Sequence, residues 1–202
     1  MGGSRVAAVI VAAGRSSRMG DFKPMLPLGK STIVRVLIES CIDSGAETIV
    51  LVTGRDAEKL EEHVADYPVK CVRNPHYETT PMSQSVRIGL EALPNDCERV
   101  LFSPVDVPLW LPSTARKLLA SDSSIAVPTC NGRRGHPLML DASIIPDLLD
   151  NLEPGGLKAA LEKVGVPIDF IDVEDEGCLY DADTPEQYER LLDLEKKRRN
   201  EA

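Results

Sequence analysis

The sequence predicts an α/β fold, a three-layer αβα sandwich around a mainly parallel sheet, and three observations predict it. Residues 6–13 (VAAVIVAA) form a continuous apolar run closed by Gly14, the pattern of a strand buried on both faces. Strand-like segments then alternate with helical ones of about 10 to 15 residues, which implies right-handed βαβ units in one sheet. The 202 residues contain no internal repeat and no low-complexity linker, so residues 1–202 are expected to form one domain.

The run at 6–13 is the expected central strand. After an irregular stretch rich in Gly, Ser, Arg and Pro, Ile33, Val34, Leu37, Ile38 and Cys41 recur at helical spacing. Ser31 or Thr32 can cap that helix and Gly45 can end it. Residues 47–53 repeat the strand signal, 56–66 read as an acidic helix with His63 on its exposed side, and 69–73 are short and β-branched. A polar loop at 74–82 leads into a helix running to about residue 93. Residues 99–103 are a further buried strand, and a helix begins near Ser113. A strand at 124–128, a loop at 129–136 and an extended segment at 137–140 follow. Helices at 142–151 and 156–164 precede a strand at 167–173. The last helix opens with Thr184-Pro-Glu-Gln187, in which Thr caps, Pro takes the first turn and Gln187 can reach back. Its basic tail at 196–199 suits the negative end of the helix dipole.

The formal net charge is −9, from 23 basic and 32 acidic side chains. Such a surface repels polyanions, so nucleic acid is excluded as a general partner. The distribution is uneven, however: residues 1–38 carry +5 and the remainder −14. The five cysteines are scattered, with no CxxC pair, which argues against a disulfide framework or a zinc site and fits a reducing, cytoplasmic setting. The apolar run at 6–13 is far shorter than the ~20 residues of a membrane helix, and no membrane association is expected.

In open α/β sheets, ligands bind beyond the carboxyl ends of the strands. Residues 12–23 (AAGRSSRMGDFK) directly follow the first strand. Ala12, Ala13 and Gly14 allow close backbone approach, Ser16 and Ser17 offer hydroxyls, and Arg15, Arg18 and Lys23 supply positive charge. A glycine-containing turn of this kind presents N–H groups to phosphate, with Arg as a planar fork and Lys as a point charge. The GxGxxG and P-loop patterns both fail here, the second because Pro24 stands where its first glycine belongs.

Further carboxylates lie after later strands. Asp106, flanked by Pro104 and Pro108, follows the strand at 99–103, and Asp181 and Asp183 precede the last helix. Hard oxygen donors in small number, completed by substrate phosphates and water, suit Mg²⁺.

The string Ala12-Ala-Gly-x-Ser-x-Arg18-Met-Gly20, continued by Lys23 and Leu26-Pro27-x-Gly29, resembles the signature of nucleotidyltransferases built on a Rossmann-like, glycosyltransferase-A-like sheet. Among these it is most similar to molybdenum cofactor cytidylyltransferases. The likeness continues through 81–85 (PMSQS), 106–108 (DVP), 134–137 (RGHP) and 181–185 (DADTP). It implies that the loop of Ala12, Ala13, Gly14, Arg15, Ser16 and Ser17 holds a nucleoside triphosphate, with Arg18 and Lys23 on its phosphates. It also implies that Gly54, Ser83 and Ser85 meet base or ribose and that Asp106 and Asp181, in preference to Asp183, bind Mg²⁺. Arg134 and His136 are then expected near a phosphorylated small-molecule acceptor, with Arg133 a neighbour able to share that role.

The implied reaction moves CMP from CTP to the terminal phosphate of molybdopterin, and the product would pass to a molybdoenzyme or its chaperone. Cytidine is favoured because the related guanylyltransferases read Ala-Gly-Gly where this chain has Ala12-Ala13-Gly14. Alternatives are such a guanylyltransferase, a sugar- or polyol-phosphate nucleotidyltransferase, and a nucleotide-binding regulator without activity.

Overall fold

The computed structural model describes residues 5–14 and 22–201. In chain order the strands are β1 (Val6–Val11), β2 (Pro27–Leu28), β3 (Ser31–Thr32), β4 (Thr48–Thr53), β5 (Val69–Arg73), β6 (Arg99–Pro104), β7 (Ile125–Cys130), β8 (Arg133–Arg134), β9 (Leu138–Asp141) and β10 (Ile168–Asp172). The helices are α1 (Ile33–Asp43), α2 (Ala57–His63), α3 (Met82–Glu91), α4 (Pro112–Leu119), α5 (Ile145–Asn151), α6 (Gly156–Val164) and α7 (Pro185–Glu201).

The main sheet runs β10-β7-β9-β6-β1-β4-β5, with β8 beside β7, while β2 and β3 form a separate small hairpin. β1 is parallel to both neighbours, Val9 lying opposite Val50 on β4 and Phe102 on β6. Only β9 and the short β8 run against the other strands of the main sheet, β9 being antiparallel to both β6 and β7. The mainly parallel α/β sheet expected from the strand and helix alternation is present.

Alternation along β1 explains the three layers. Ala8, Ile10 and Ala12 enter one core with the apolar face of α1, Leu60 of α2, Leu118 of α4 and Leu191 of α7. Val9, Val11 and Ala13 enter the other with Val86 and Leu90 of α3, Leu148 of α5 and Leu161 of α6. Since successive side chains of a strand point to opposite faces, an unbroken apolar run must be covered on both sides.

Two local expectations are corrected. Thr32 sits at the start of α1 but its hydroxyl makes no cap; it bonds instead to Nε2 of His63 at 2.8 Å. His63 is therefore half-buried between α1 and α2, with Arg35 Nε donating to its carbonyl at 3.0 Å. Burial and the Arg35 charge hold its imidazole below the usual pKa. At α7, the Gln187 amide N–H reaches the Thr184 hydroxyl at 3.3 Å, but the Gln187 side-chain oxygen is buried without a partner. The reciprocal half of the capping box is not made.

Candidate functional site

Three strands deliver their ends to one place. The β1 ladder continues into Ala12, whose N–H donates to the Val52 carbonyl at 2.9 Å, and Val105 donates to the Val11 carbonyl at 3.1 Å. The chain after β1 and the loop after β6 thus leave the sheet side by side. Asp106 follows Val105 on a loop fixed from below by Trp110, which is 1% exposed and donates through Nε1 to the Ser103 hydroxyl at 3.2 Å.

Lys23 opens a 3₁₀ turn, Lys23–Met25, that Pro24 initiates, and only 8% of the residue is exposed. Its Nζ lies 2.5 Å from a carboxylate oxygen of Asp183 and 3.6 Å from one of Asp106. The loop carrying Asp183 is tied to the Asp106 loop by the Ala182 N–H, which donates to the Asp106 carbonyl at 3.0 Å. Burial raises the pKa of Asp106; Lys23 opposes the shift, and the charges of Asp183 and Asp181 add to it. Asp181 is raised for the same leading reason, with repulsion from Asp183 next.

Partly desolvated carboxylates held close together stabilise a cation placed between them. Among the described residues no group of three or more His, Cys, Asp or Glu side chains is placed to hold a metal. Two carboxylates completed by phosphate oxygens and water are nevertheless the usual Mg²⁺ set. The residues present fit a divalent cation of that kind.

A cleft of about 190 Å³ adjoins the end of β1, lined by Ala13, Gly14, Tyr77, Thr80, Pro81, Met82 and Ser85. Gly54 closes it from behind: a Cβ there would stand 2.9 Å from Tyr77 Cβ and 3.1 Å from Ala13 Cα, so close packing rather than turn geometry demands glycine. The Ser85 hydroxyl accepts from Asn74 Nδ2 at 2.9 Å, and that asparagine also orders the 76–80 turn. Ser83 bonds to Glu153 at the start of the α5–α6 loop and does not line the cleft. Ala12 is buried in the core beneath. Arg15, Ser16, Ser17 and Arg18 lie outside the described residues.

A second cleft, of about 240 Å³, lies beyond Asp181 and is lined by Asn131, Arg133, Glu176, Leu179, Tyr180, Asp181, Gln187 and Arg190. The two arginines of β8 part here. Arg133 faces this cleft, whereas Arg134 stacks on the ring of Phe170 at 4.5 Å. His136 does not line it either. Its N–H donates to the Cys178 carbonyl at 2.9 Å, its Nδ1 is buried without a partner, and its ring lies against the Phe102 carbonyl. Burial pushes the imidazole pKa down to about 4.

The walls of this region are backbone against backbone. A Cβ on Gly135 would meet the Cys178 carbonyl oxygen at 2.5 Å, and one on Gly177 the Leu109 carbonyl oxygen at 2.0 Å. Residues 176–178 form a 3₁₀ turn capped by Asp175. Asp175 is missed by sequence reasoning. It is 4% exposed and accepts from the N–H groups of Leu111 and Gly177, the Thr114 hydroxyl and, at 2.5 Å, Arg198 of α7. The only sequence signal was a helix-capping aspartate ahead of Gly177.

Residues 8–168 match the model of a MobA-like NTP transferase domain. Among curated relatives, the nicotine blue oxidoreductase of Paenarthrobacter nicotinovorans is 30% identical over 93% of this chain and 96% of its own length. The molybdenum cofactor cytidylyltransferase of Escherichia coli strain K12 is 28% identical over 92% of this chain and 94% of its own. Among solved structures, a nucleotidyl transferase from Methanothermobacter thermautotroptrophicus superimposes with a TM-score of 0.85 at 26% identity, covering 96% of this chain and 99% of that one.

Proposed function

Because the chain belongs to the MobA-like NTP transferases, we propose that it is a Mg²⁺-dependent cytidylyltransferase that moves CMP from CTP to the terminal phosphate of molybdopterin. The observation that carries this reading is the buried Lys23 ammonium set between Asp183 and Asp106 at the end of the phosphate loop. In the free protein the two carboxylates hold Lys23 in place. With substrate bound, its charge serves the triphosphate, a role proposed also for Arg18.

An oxygen of the acceptor phosphate attacks the α-phosphorus of CTP, the bond from that phosphorus to the β-bridging oxygen breaks, and pyrophosphate leaves with the electron pair. The nucleophile is already ionised, so no general base is required. Lys23 neutralises charge that shifts towards pyrophosphate, and the loops beyond the strand ends hold the two phosphates in line. Asp106 and Asp181 would hold Mg²⁺, which when bound offsets phosphate charge and fixes phosphate geometry. Ala13, Gly14 and Ser85 line the cleft assigned to the nucleoside.

The test is pyrophosphate release with Mg²⁺, comparing CTP, GTP and ATP across molybdopterin and sugar or polyol phosphates. Turnover is expected with CTP and molybdopterin, and Asp106→Ala is expected to reduce it at least about 10³-fold with an unchanged circular dichroism spectrum. Preference for GTP would replace cytidine by guanosine. Binding of triphosphate without turnover of any acceptor would favour a regulator. Reduction of nicotine blue without pyrophosphate release would place the chain with its oxidoreductase relative.

A further inference from the structure

We propose that the 240 Å³ cleft beyond Asp181 is the acceptor subsite, with the acceptor phosphate held between the guanidinium groups of Arg133 and Arg190. The proposal rests on the transfer reaction set out above and adds to it the residues that choose the second substrate.

The two cations reach the cleft from separate elements, Arg133 from β8 and Arg190 from the second turn of α7. Among the described residues neither guanidinium is engaged in an ion pair or hydrogen bond, whereas Arg5, Arg35, Arg73, Arg87, Arg99 and Arg198 are. The charge of Arg133 acts on Asp181 and that of Arg190 on Glu186 without a contact ion pair, and guanidiniums so placed in a concave site are suited to a phosphomonoester, which they grip through planar, charge-assisted hydrogen bonds.

Gln187 lies in the same wall, with its Oε1 shut away from solvent and without a donor. The ligand class, set by the two guanidiniums, is a phosphomonoester.

Location links the cleft to the reaction. Residues 181–183 separate it from the Lys23 site: Asp181 lines the cleft, Asp183 pairs with Lys23, and the Ala182 amide between them bonds to the Asp106 carbonyl. A phosphate gripped by Arg133 and Arg190 lies next to the carboxylates assigned to the metal, whose charge would also offset the repulsion from Asp181.

The experiment has two readouts. With CTP, Arg133→Gln and Arg190→Gln are each expected to raise the KM for molybdopterin about tenfold or more, leaving the KM for CTP within about twofold, while Arg190→Lys recovers part of the loss. Separately, inorganic phosphate is titrated into the wild-type protein loaded with Mg²⁺ and a non-hydrolysable CTP analogue, following the arginine Nε–H resonances by NMR. The Arg133 and Arg190 signals are expected to shift together and saturate, and Arg133→Gln to abolish the shift at Arg190. Unmoved signals, or an unchanged molybdopterin KM in both variants, would overturn the subsite. Saturable shifts with no turnover of molybdopterin would uphold the subsite and overturn the reaction instead.

Discussion

A lysine that is 8% exposed is tolerated because Asp183 and Asp106 compensate its charge, since burying an ammonium unpaired costs several kcal/mol. His136 meets burial differently, by remaining neutral. The unfolded chain takes up a proton near pH 6.5 that the folded ring refuses until about pH 4. Stability is then complete above pH 6.5 and is lost as pH falls through that window, by up to about 3 kcal/mol. Urea unfolding at pH 7 and pH 4.5 is expected to show this loss in the wild type and a smaller one in His136→Gln; equal losses would show that another group is responsible. Lys23 and Asp106 were legible in the sequence because each follows a strand within a recognisable motif. The sequence favoured Arg134 over Arg133 for the acceptor, whereas it is Arg133 that lines the second cleft. In an extended ribbon, adjacent side chains point to opposite faces, so a single step of register decides which one meets the cleft.

At the level of elements, α7 has few deep apolar anchors: among its described residues only Leu191 is fully buried. Its far end is secured instead by Arg198, which bonds to Asp175 and to the Leu109 carbonyl. Asp175 also holds the starts of α4 and of the 176–178 turn, so one carboxylate ties three elements together. Asp175→Ala is expected to destabilise the protein by about 3 to 5 kcal/mol, because it leaves the Arg198 charge and three further donors without their acceptor. Chemical denaturation measures it, and a loss under about 1 kcal/mol would count against the clamp. Composition suggested only a dipole contribution for the basic run at 196–199. The partner of Arg198 lies 23 positions upstream, and spacing along a helix gives no sign of a contact made outside it.

For the whole molecule, the two apolar layers divide β1 between them, Ala8 and Ile10 entering one and Val9 and Val11 the other, so neither can be lost without exposing the other's strand. A single cooperative unit is expected. Unfolding followed by the fluorescence of Trp110, which is 1% exposed, and by far-ultraviolet circular dichroism should give coincident transitions; separated midpoints would divide the chain into independent parts. The layered sheet was legible because strand and helix periods alternate over most of the chain. The reversed direction of β9 was not, since four residues between β8 and a short helix read equally well as either orientation. The net charge of −9 likewise obscured how Lys23, Asp106, Asp181 and Asp183 gather in one region from distant parts of the sequence.

The backbone contacts of Gly135 with Cys178 and of Gly177 with Leu109 restrict how this site can diverge. Loops stacked without intervening side chains cannot change length independently, because one inserted residue would displace both neighbours. Preference for a different acceptor is most accessible through exchange of side chains at fixed backbone positions, above all Asn131, Arg133 and Arg190. Relatives that share this packing should therefore differ in the chemistry they present to a ligand far more than in the outline of the cavity that receives it.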